Sequence, residues 1–508
     1  MSPIPWAWDR RRPWHVTIVY NRAVATQTID RRVIRRLERA VGSKSVLWRP
    51  EEVIAFEYDG TIEKAQPQAV VFPTSARQVA DVVRIALDAA LPVVPRGAGT
   101  GLSGGAIAAL GGVVVALTRM KRILELDPVD RLAVVEPGVV NLDLSKAAEP
   151  HNLYYAPDPS SQRACTLGGN VAENAGGPHC LASGVTTNHV LGLEVVLPEG
   201  DIVQLGGRAT ETPGYDLRGV FVGSEGTLGI VTKIIVRLLP KPEATRTLLA
   251  IFDEVDQASA AVSAIIARGI VPAALEMMDR EIIRAVEPAL HVGYPLDAGA
   301  VLLIEVDGLR EAVAEQAVAV REVCDTEGAR EVREAAEAAE REKLWAGRKG
   351  SISSLGRLAP NYYVLDGVVP RTKLPAVLRQ IYQTCEEAGI PVANVFHAGD
   401  GNLHPNLLFD ERRPGETARV MELGAKIMRL CVDAGGSITG EHGVGLEKRR
   451  FMEWIFSDSD IAAMAKVRAA FGGNDLYNPC KLFPTGKGCG EVTQAKIERV
   501  MAQVGPDA

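Results

Sequence analysis

Two short segments of the sequence combine residue types that bind metals and transfer protons. The first contains His397 and His404 on either side of a Gly-Asp-Gly turn, and the second contains the adjacent pair Glu441 and His442. A turn of this kind can direct both imidazoles toward one point, where Glu441 would complete a two-histidine, one-carboxylate ligand set. The histidines could instead cap turns, but the glycines around Glu441 favour a site. The pattern predicts a divalent cation: zinc, manganese or iron.

A similar ligand set activates water in hydrolytic zinc enzymes. The H-E-x-x-H helix of metalloproteases does not occur in the sequence. A hydrolase of this kind needs no organic cofactor, so the choice between hydrolysis and other chemistry depends on the N-terminal half of the chain.

A glycine-rich loop is the strongest local feature of that half. Residues 95–105 read Pro-Arg-Gly-Ala-Gly-Thr-Gly-Leu-Ser-Gly-Gly. Successive glycines let backbone N–H groups converge on an anion, which suits a pyrophosphate. Gly99, Gly101 and Gly104 match G-x-G-x-x-G, but the nicotinamide-binding fingerprint requires a helix directly after the loop. A strand at 113–115 follows too soon for such a helix, so the loop predicts phosphate binding outside a nicotinamide fold.

Further glycine motifs follow this loop in order, at 157–160, 166–170, 174–177 and 223–230. With the loop, they resemble the FAD-binding domain of vanillyl-alcohol oxidase type, over about residues 50–240 and again in the tail. The resemblance implies two α+β subdomains that clamp an extended FAD. A cofactor domain of this kind also disfavours the hydrolytic interpretation of the histidine motifs.

The same resemblance implies which residues line the FAD. Some members attach the flavin covalently through a His in the first loop or a Cys near the third motif. The first loop has no His, and Cys165 is more typical of a buried thiol than of a flavin link, so we expect non-covalent FAD. The implied FAD residues are Pro95, Arg96, Gly97, Ala98, Gly99, Thr100, Gly101, Leu102, Ser103, Pro157, Asp158, Ser160, Gly168, Gly169, Asn174, Gly176, Gly177, Glu225, Gly229, Ile230 and Asn478.

The C-terminal half resembles the D-2-hydroxy-acid dehydrogenase branch of the same flavoprotein family. This branch includes D-lactate and D-2-hydroxyglutarate dehydrogenases and the flavin subunit of glycolate oxidase. The motifs that carry the resemblance are Leu-Glu-Met-Met-Asp at 275–279, Leu-Trp-Ala-Gly-Arg-Lys at 344–349 and Asn-Val-Phe-His at 394–397. The resemblance implies metal ligands His397, His404 and Glu441, the base His442, and the carboxylate-binding residues Arg348 and Asn406.

The implied reaction converts a small 2-hydroxy acid into a 2-oxo acid. The cation would bind the substrate's carboxylate and hydroxyl, the base would take the hydroxyl proton, and the α-hydrogen would leave as hydride to the flavin N5. Relatives that act on dicarboxylates carry a lysine on the strand at 362–366, and this chain has none there. We therefore expect a monocarboxylate, although loop geometry could supply another cation such as Lys349. Glycolate and D-lactate both remain open because they differ by one methyl group.

Electrons must also leave the reduced flavin, and they could pass to oxygen, a quinone or a partner protein. The seven cysteines are widely spaced and form no C-x-x-C pair, which argues against an iron–sulfur cluster in this chain and favours a reducing cytoplasm. The resemblance to the glycolate enzyme implies an iron–sulfur subunit and a second flavin subunit, with membrane association only through such partners. The chain could alternatively be the non-catalytic flavin subunit, but a scaffold has no use for the intact metal and base motifs.

Composition excludes several other classes of protein. The net charge of −7 is small for 508 residues and basic residues are scattered, so nucleic-acid binding is not expected. No window approaches the roughly 20 apolar residues of a membrane-spanning helix. The run Arg10-Arg11-Arg12 lacks a following apolar segment and cleavage site, so we expect no targeting role for it.

We expect the candidate FAD, metal and substrate residues to be positioned by an α+β fold. We expect an N-terminal extension and helix at 1–44, an FAD-binding domain at 45–242, a substrate domain with the metal site at 243–457, and a C-terminal segment at 458–508 that packs on the FAD domain. Periodicity predicts helices at 29–42, after a cap at Thr74 or Ser75, at 254–268 and at 310–327. The charged run at 331–345 is expected to be a solvated helix face. The predicted strands are 69–72, 91–95, 112–117, 133–136, 193–197, 230–238, 300–306 and 362–365.

Overall fold

An arginine-rich helix, α1 (Arg31–Val41), opens the part of the chain that the computed structural model describes, which is residues 29–209, 213–472 and 476–484. The Asp30 carboxylate accepts a hydrogen bond from the backbone N–H of Arg32, and Gly42 ends the helix with φ +88°. Its buried face packs against the helix at Ala76–Asp88, as the amphipathic pattern predicts. The Arg10-Arg11-Arg12 run lies outside the described residues.

The first sheet has four strands in the order β1-β2-β4-β3, with β2, β4 and β3 parallel. The parallel strands β3 and β4 are joined by the glycine loop without a helix, which confirms the prediction from spacing. Ser75 caps α3, whose apolar face covers the sheet. The elements are β1 (Val46–Leu47), α2 (Pro50–Val53), β2 (Ala69–Val71), α3 (Ala76–Asp88), β3 (Val93–Arg96) and β4 (Val113–Ala116).

Strand β3 lies at the edge of this sheet, where the C-terminal tail pairs with it. Val93 donates its N–H to the carbonyl of Leu476, and Asn478 donates its N–H to the carbonyl of Val93. Lys481 is fully buried and donates to the carbonyl of Ile107, 374 residues away in sequence. The tail therefore holds the glycine-loop strand in place.

The second sheet is antiparallel, with five strands in the order β5-β6-β10-β8-β9. Short helices pack with the sheet into a common apolar core, and one of them includes most of the motif at 166–170. The elements are β5 (Ile123–Asp127), β6 (Leu132–Val135), α4 (Asn141–Ala148), β7 (Leu153–Tyr154), α5 (Leu167–Glu173), α6 (Cys180–Ser183), β8 (Val190–Val196), β9 (Ile202–Gly206), α7 (Leu217–Phe221), β10 (Ile230–Arg237) and β11 (Leu239–Pro240).

A nine-stranded antiparallel sheet forms the C-terminal half, with a main path of β15-β12-β14-β13-β18-β19-β17 and with β16 and β20 joined through β18. Helices on both faces cover it. The elements are β12 (Ala244–Phe252), α8 (Val255–Ala267), β13 (Ala274–Asp279), α9 (Arg280–Leu290), β14 (Ala300–Gly308), α10 (Arg310–Thr326), β15 (Glu331–Glu334), α11 (Ala338–Lys349), α12 (Ser351–Ser354), β16 (Asn361–Val364), β17 (Gly367–Val368), α13 (Leu374–Ala388), β18 (Val392–His397), β19 (Asn402–Leu403), β20 (Pro405–Phe409), α14 (Glu416–Asp433) and α15 (Asp458–Ala470).

One sequence prediction in this half is wrong. The charged run at 331–345 is not a single helix face, because Glu331–Glu334 forms the edge strand β15 and pairs with β12. Only Val332 of that strand turns into the core, while α11 carries the rest of the run. None of the helices in the described ranges is long and apolar enough to cross a membrane.

Candidate functional site

A cavity of 410 Å³ lies where the glycine motifs meet the C-terminal sheet. The glycine loop, α5 and the start of β10 form one side, and the ends of α11 and β18 with the loop at 441–442 form the other. The predicted FAD residues that line it are Pro95, Arg96, Gly97, Ala98, Gly99, Thr100, Gly101, Leu102, Ser160, Gly168, Gly169, Gly176, Glu225, Gly229 and Ile230.

Six predicted FAD residues lie behind this lining. Asp158 forms ion pairs with His179, at 2.9 Å, and Lys349, at 3.1 Å. The Asn478 amide donates to the carbonyl of Glu225, which supports the lining from outside. The structure therefore gives Asp158 and Asn478 contacts that brace the lining. The six are Ser103, Pro157, Asp158, Asn174, Gly177 and Asn478.

The cavity wall carries polar atoms that suit a large polar cofactor. Arg96 Nη1, Thr166 Oγ1, Glu173 Oε2 and Ser224 Oγ are buried and have no hydrogen-bond partner among the described residues. Buried polar atoms normally have partners, so four unpaired ones around one cavity indicate a missing polar group. Glu173 was not predicted, although it directly precedes the motif at 174–177.

Cys165 also lines the cavity, and burial raises the pKa of its thiol. A raised pKa disfavours the thiolate, which is the reactive form of cysteine. This observation supports the expectation of non-covalent FAD.

The predicted metal ligands converge on one point of the cavity wall. Nε2 of His397 lies 3.0 Å from Oε1 of Glu441, and Nε2 of His404 lies 3.2 Å from the same oxygen. Burial raises the pKa of Glu441, but the two histidines outweigh burial and hold this pKa well below its usual value. The three ligand atoms lie within 4.8 Å of one another, which fits a small divalent cation.

Each imidazole is also oriented from its far side. Nδ1 of His397 lies 2.8 Å from Oε1 of Glu276, and Nδ1 of His404 lies 3.2 Å from the carbonyl of Leu365. Strand register explains the first contact, because Glu276 on β13 is the direct partner of His397 on β18. Outer acceptors of this kind fix the tautomer and leave Nε2 available as a ligand. Glu276 was quoted in a sequence motif but given no role.

His442 stacks on His404, with ring centroids 4.8 Å apart and planes 7° from parallel. Its Nδ1 is buried and has no hydrogen-bond partner in the described chain. Burial lowers the pKa of His442 to about 4, although Asp366 opposes this shift. The imidazole is therefore neutral at pH 7 and able to accept a proton.

The two predicted carboxylate-binding residues have different surroundings. Arg348 lines the cavity and is 2% exposed, and its Nε donates to Glu276 at 2.6 Å. Asn406 is fully buried, and its Nδ2 donates to the carbonyls of Ala393 and His404. Asn406 is not among the residues that line the cavity, so its visible role is to shape the strands that hold His404.

Known proteins match this chain in sequence and in fold. Residues 67–206 match the model of an FAD binding domain, and residues 241–482 match the model of the C-terminal domain of FAD linked oxidases. A solved 4-ethylphenol oxidase from Gulosibacter chungangensis superposes with a TM-score of 0.74 at 19% identity, over 89% of this chain and 97% of that one. The predicted vanillyl-alcohol oxidase type of fold is confirmed.

The chain thus belongs to the family of FAD-linked oxidases, and it binds FAD. Within that family it is similar to the glycolate oxidase subunit GlcD of Escherichia coli K12, with 49% identity over 92% of this chain and 94% of that protein. It is also 34% identical to the D-lactate dehydrogenase of Anaerostipes hadrus, over 82% of this chain and 90% of that one. The predicted branch of the family is confirmed.

Gly101 offers a test of the FAD cavity. A Cβ at this position would meet only Glu173 Oε1, at 3.8 Å, so the protein alone leaves room for a side chain. We expect Gly101→Leu to fold normally but to fill space that FAD needs. The FAD dissociation constant should rise roughly tenfold or more, equivalent to about 1.4 kcal/mol.

Fluorescence titration of the apoprotein with FAD measures this effect. Gly356→Leu is the matched control, because a Cβ at this exposed glycine meets nothing within 4 Å and the position lies outside the cavity lining. Equal FAD affinity of the two variants would show that the loop does not contact the cofactor.

Proposed function

We propose that this protein oxidises a small 2-hydroxy acid, glycolate or D-lactate, to the corresponding 2-oxo acid, and that it uses a divalent cation beside the FAD. The observation that carries the proposal is the convergence of His397, His404 and Glu441 on the wall of the FAD cavity. Both relatives compared above are named for oxidation of a 2-hydroxy acid.

The donor set fits a cation by its chemistry. Two imidazoles and one ionised carboxylate are typical ligands of zinc, manganese or iron. The outer acceptors on both histidines match the arrangement that raises ligand basicity in metal sites. When bound, FAD supplies a hydride acceptor at N5 and the cation supplies Lewis acidity that favours ionisation of the substrate hydroxyl.

The chain's own residues provide the remaining chemistry. We assign His442 as the base that takes the hydroxyl proton, because it is neutral, lines the cavity and stacks on the ligand His404. We assign Arg348 to the substrate carboxylate, with Glu276 fixing the orientation of its guanidinium. Asn406 supports His404 from behind and would act only indirectly.

The proposed substrate is small and carries one carboxylate. Arg96, Arg348 and Lys349 are the cations among the described lining residues, and Arg348 and Lys349 are already paired with Glu276 and Asp158. The pairing leaves little unbalanced positive charge for a second carboxylate. This charge distribution supports glycolate or D-lactate over a dicarboxylic acid.

Electron transfer from the reduced flavin requires an acceptor, and we propose an iron–sulfur subunit together with a second flavin subunit. GlcD is named as a subunit of glycolate oxidase, which supports a multi-subunit assembly. Free thiols are found at Cys165, Cys180, Cys324, Cys385 and Cys431, as is typical of the reducing cytoplasm that we propose for this protein. Any membrane association would then come through the partner subunits.

Anaerobic addition of glycolate to the metal-replete, FAD-loaded protein tests the proposal. We expect the visible flavin absorption to bleach within one turnover, and D-lactate run in parallel identifies the preferred substrate. A flavin that neither acid reduces would contradict the proposed reaction and point to the non-catalytic subunit. A chelated sample serves as the metal-free control.

A further inference from the structure

The loop that carries Glu441 and His442 is held by side chains from outside the loop. Asp366, between β16 and β17, accepts hydrogen bonds from the backbone N–H groups of Gly440 at 3.1 Å, Glu441 at 3.3 Å and His442 at 3.0 Å. Three consecutive N–H groups thus point at one carboxylate. The ligand and the base share this anchor through their own backbone.

The following part of the loop is anchored from the FAD-binding half. Glu225 accepts the N–H of Val444 at 2.7 Å and the N–H of Gly445 at 2.6 Å. Between the two carboxylates, Gly443 donates its N–H to Thr439 Oγ1. All six N–H groups from 440 to 445 are therefore bound by side-chain oxygens, and the two buried carboxylates come from different halves of the chain.

Asp366 is an anchor and not a metal ligand. It lies within ligand distance of His404 and His442, so the three side chains resemble a second cation site. Its two oxygens, however, already accept five donors, since Thr439 Oγ1 donates at 2.6 Å and Lys448 Nζ at 2.9 Å in addition to the three N–H groups. Lys448 also donates to the carbonyl of Gly443, so this buried cation supports the loop as well.

The backbone of the loop is tightly packed at Gly443. Gly443 has φ +89°, and a Cβ there would lie 2.2 Å from Glu173 Oε2 and 2.9 Å from Glu225 Oε1. The backbone of the loop is thus pressed against the two glutamates of the cavity wall. All six N–H groups of the loop are bound, and the backbone at Gly443 is closely packed. We therefore expect the loop to keep one conformation as long as the side chains that bind these N–H groups are present.

We propose that Asp366 is a positioning residue that sets the loop so that Glu441 faces His397 and His404 while His442 faces the cavity. The assigned roles of Glu441 and His442 rest on the proposed function, but the anchoring of the loop does not. Charge-assisted hydrogen bonds to backbone N–H groups are about twice as strong as neutral ones. An amide at position 366 would replace one acceptor oxygen with a donor and disrupt this arrangement.

The test compares Asp366→Asn with the wild type as full-length, FAD-loaded protein. Free Mn²⁺, followed by its electron paramagnetic resonance signal during titration, gives the metal affinity. We expect Mn²⁺ binding to weaken about 10- to 100-fold, the usual effect of losing an outer-sphere partner, with a fall in kcat and unchanged FAD content. Hydrogen exchange measured by mass spectrometry should show faster exchange of the 440–445 amides.

Asp279→Asn is the matched control. Asp279 is equally buried and accepts from the backbone of Ile282 and Asn394 and from Tyr382, but it lies outside the cavity lining. Its substitution should leave Mn²⁺ affinity and loop exchange unchanged. If Asp366→Asn does not fold, Thr439→Val, which removes the Gly443 anchor, should shift both measurements in the same direction by a smaller amount.

The outcomes separate this inference from the proposed function. A wild type that binds no Mn²⁺ and is not reduced by glycolate would contradict the proposed function, while faster loop exchange in Asp366→Asn would still support the anchor. Unchanged loop exchange in Asp366→Asn, with folding intact, would overturn the positioning role. Unchanged Mn²⁺ affinity despite faster exchange would also overturn it, because the loop would then not control Glu441.

Discussion

Replacing His442 with glutamine should lower the rate of flavin reduction by glycolate about 10²- to 10⁴-fold, the usual contribution of a general base. Glutamine keeps a polar side chain of similar size but cannot accept the hydroxyl proton. Burial lowers the pKa of His442 to about 4, so the wild-type imidazole is present in its unprotonated form at pH 7, where the rates are compared. Anaerobic stopped-flow absorbance measures the rate, and FAD content should not change.

His189 provides the control for this substitution. It is fully buried and, like His442, has an Nδ1 without a hydrogen-bond partner among the described residues, but it bonds to the carbonyl of Ser183 away from the cavity. His189→Gln tests the general cost of replacing a buried histidine. Reduction of the His442→Gln flavin at the wild-type rate would remove His442 from the mechanism.

Replacing Glu441 with glutamine should abolish metal binding and, with it, at least about 10²-fold of the reduction rate. The substitution removes the only carboxylate of the ligand set and leaves two buried imidazoles facing an amide. The molar ratio of metal to FAD, measured by inductively coupled plasma mass spectrometry, should fall to the level of the chelated wild type. Added Zn²⁺ or Mn²⁺ should restore activity to the chelated wild type but not to the variant.

Glu447→Gln is the matched substitution outside the ligand set. Glu447 is also buried, burial raises its pKa to about 7, and it accepts a hydrogen bond from the Tyr363 hydroxyl at 2.7 Å. This variant should retain its metal and its rate. If Glu441→Gln retained both as well, the convergence of His397, His404 and Glu441 would have no role in binding a cation.

The parts of the site that could be predicted from sequence are those encoded by local spacing. His397 and His404 flank one tight turn, and Glu441 and His442 are adjacent, so their chemistry is visible without a fold. The glycine loop between β3 and β4 was also predictable, because the short distance to the next apolar run leaves no room for a helix. In each case the informative residues lie within about a dozen positions of one another.

Partners that meet through strand register or loop packing could not be predicted. Glu276 contacts His397 across 121 residues because β13 and β18 pair at that register. Asp366 reaches the 440–442 backbone through a loop contact that no local pattern signals. The strand at Glu331–Glu334 was missed for a related reason, since pairing with β12 determines its conformation more than its charged composition does.

The pairing of the tail with β3 has a consequence for how this protein is made. An edge strand with unpaired backbone groups is a template for aggregation, and β3 also carries the start of the glycine loop. Its outer edge is covered by residues 476–478, which leave the ribosome long after β3 does. During synthesis the strand therefore remains open for most of translation. A chain truncated before these residues would expose the unpaired edge of β3, which chaperones could bind. A premature stop codon at this point should therefore lower the solubility of the protein, even though it lies far in sequence from the proposed catalytic residues.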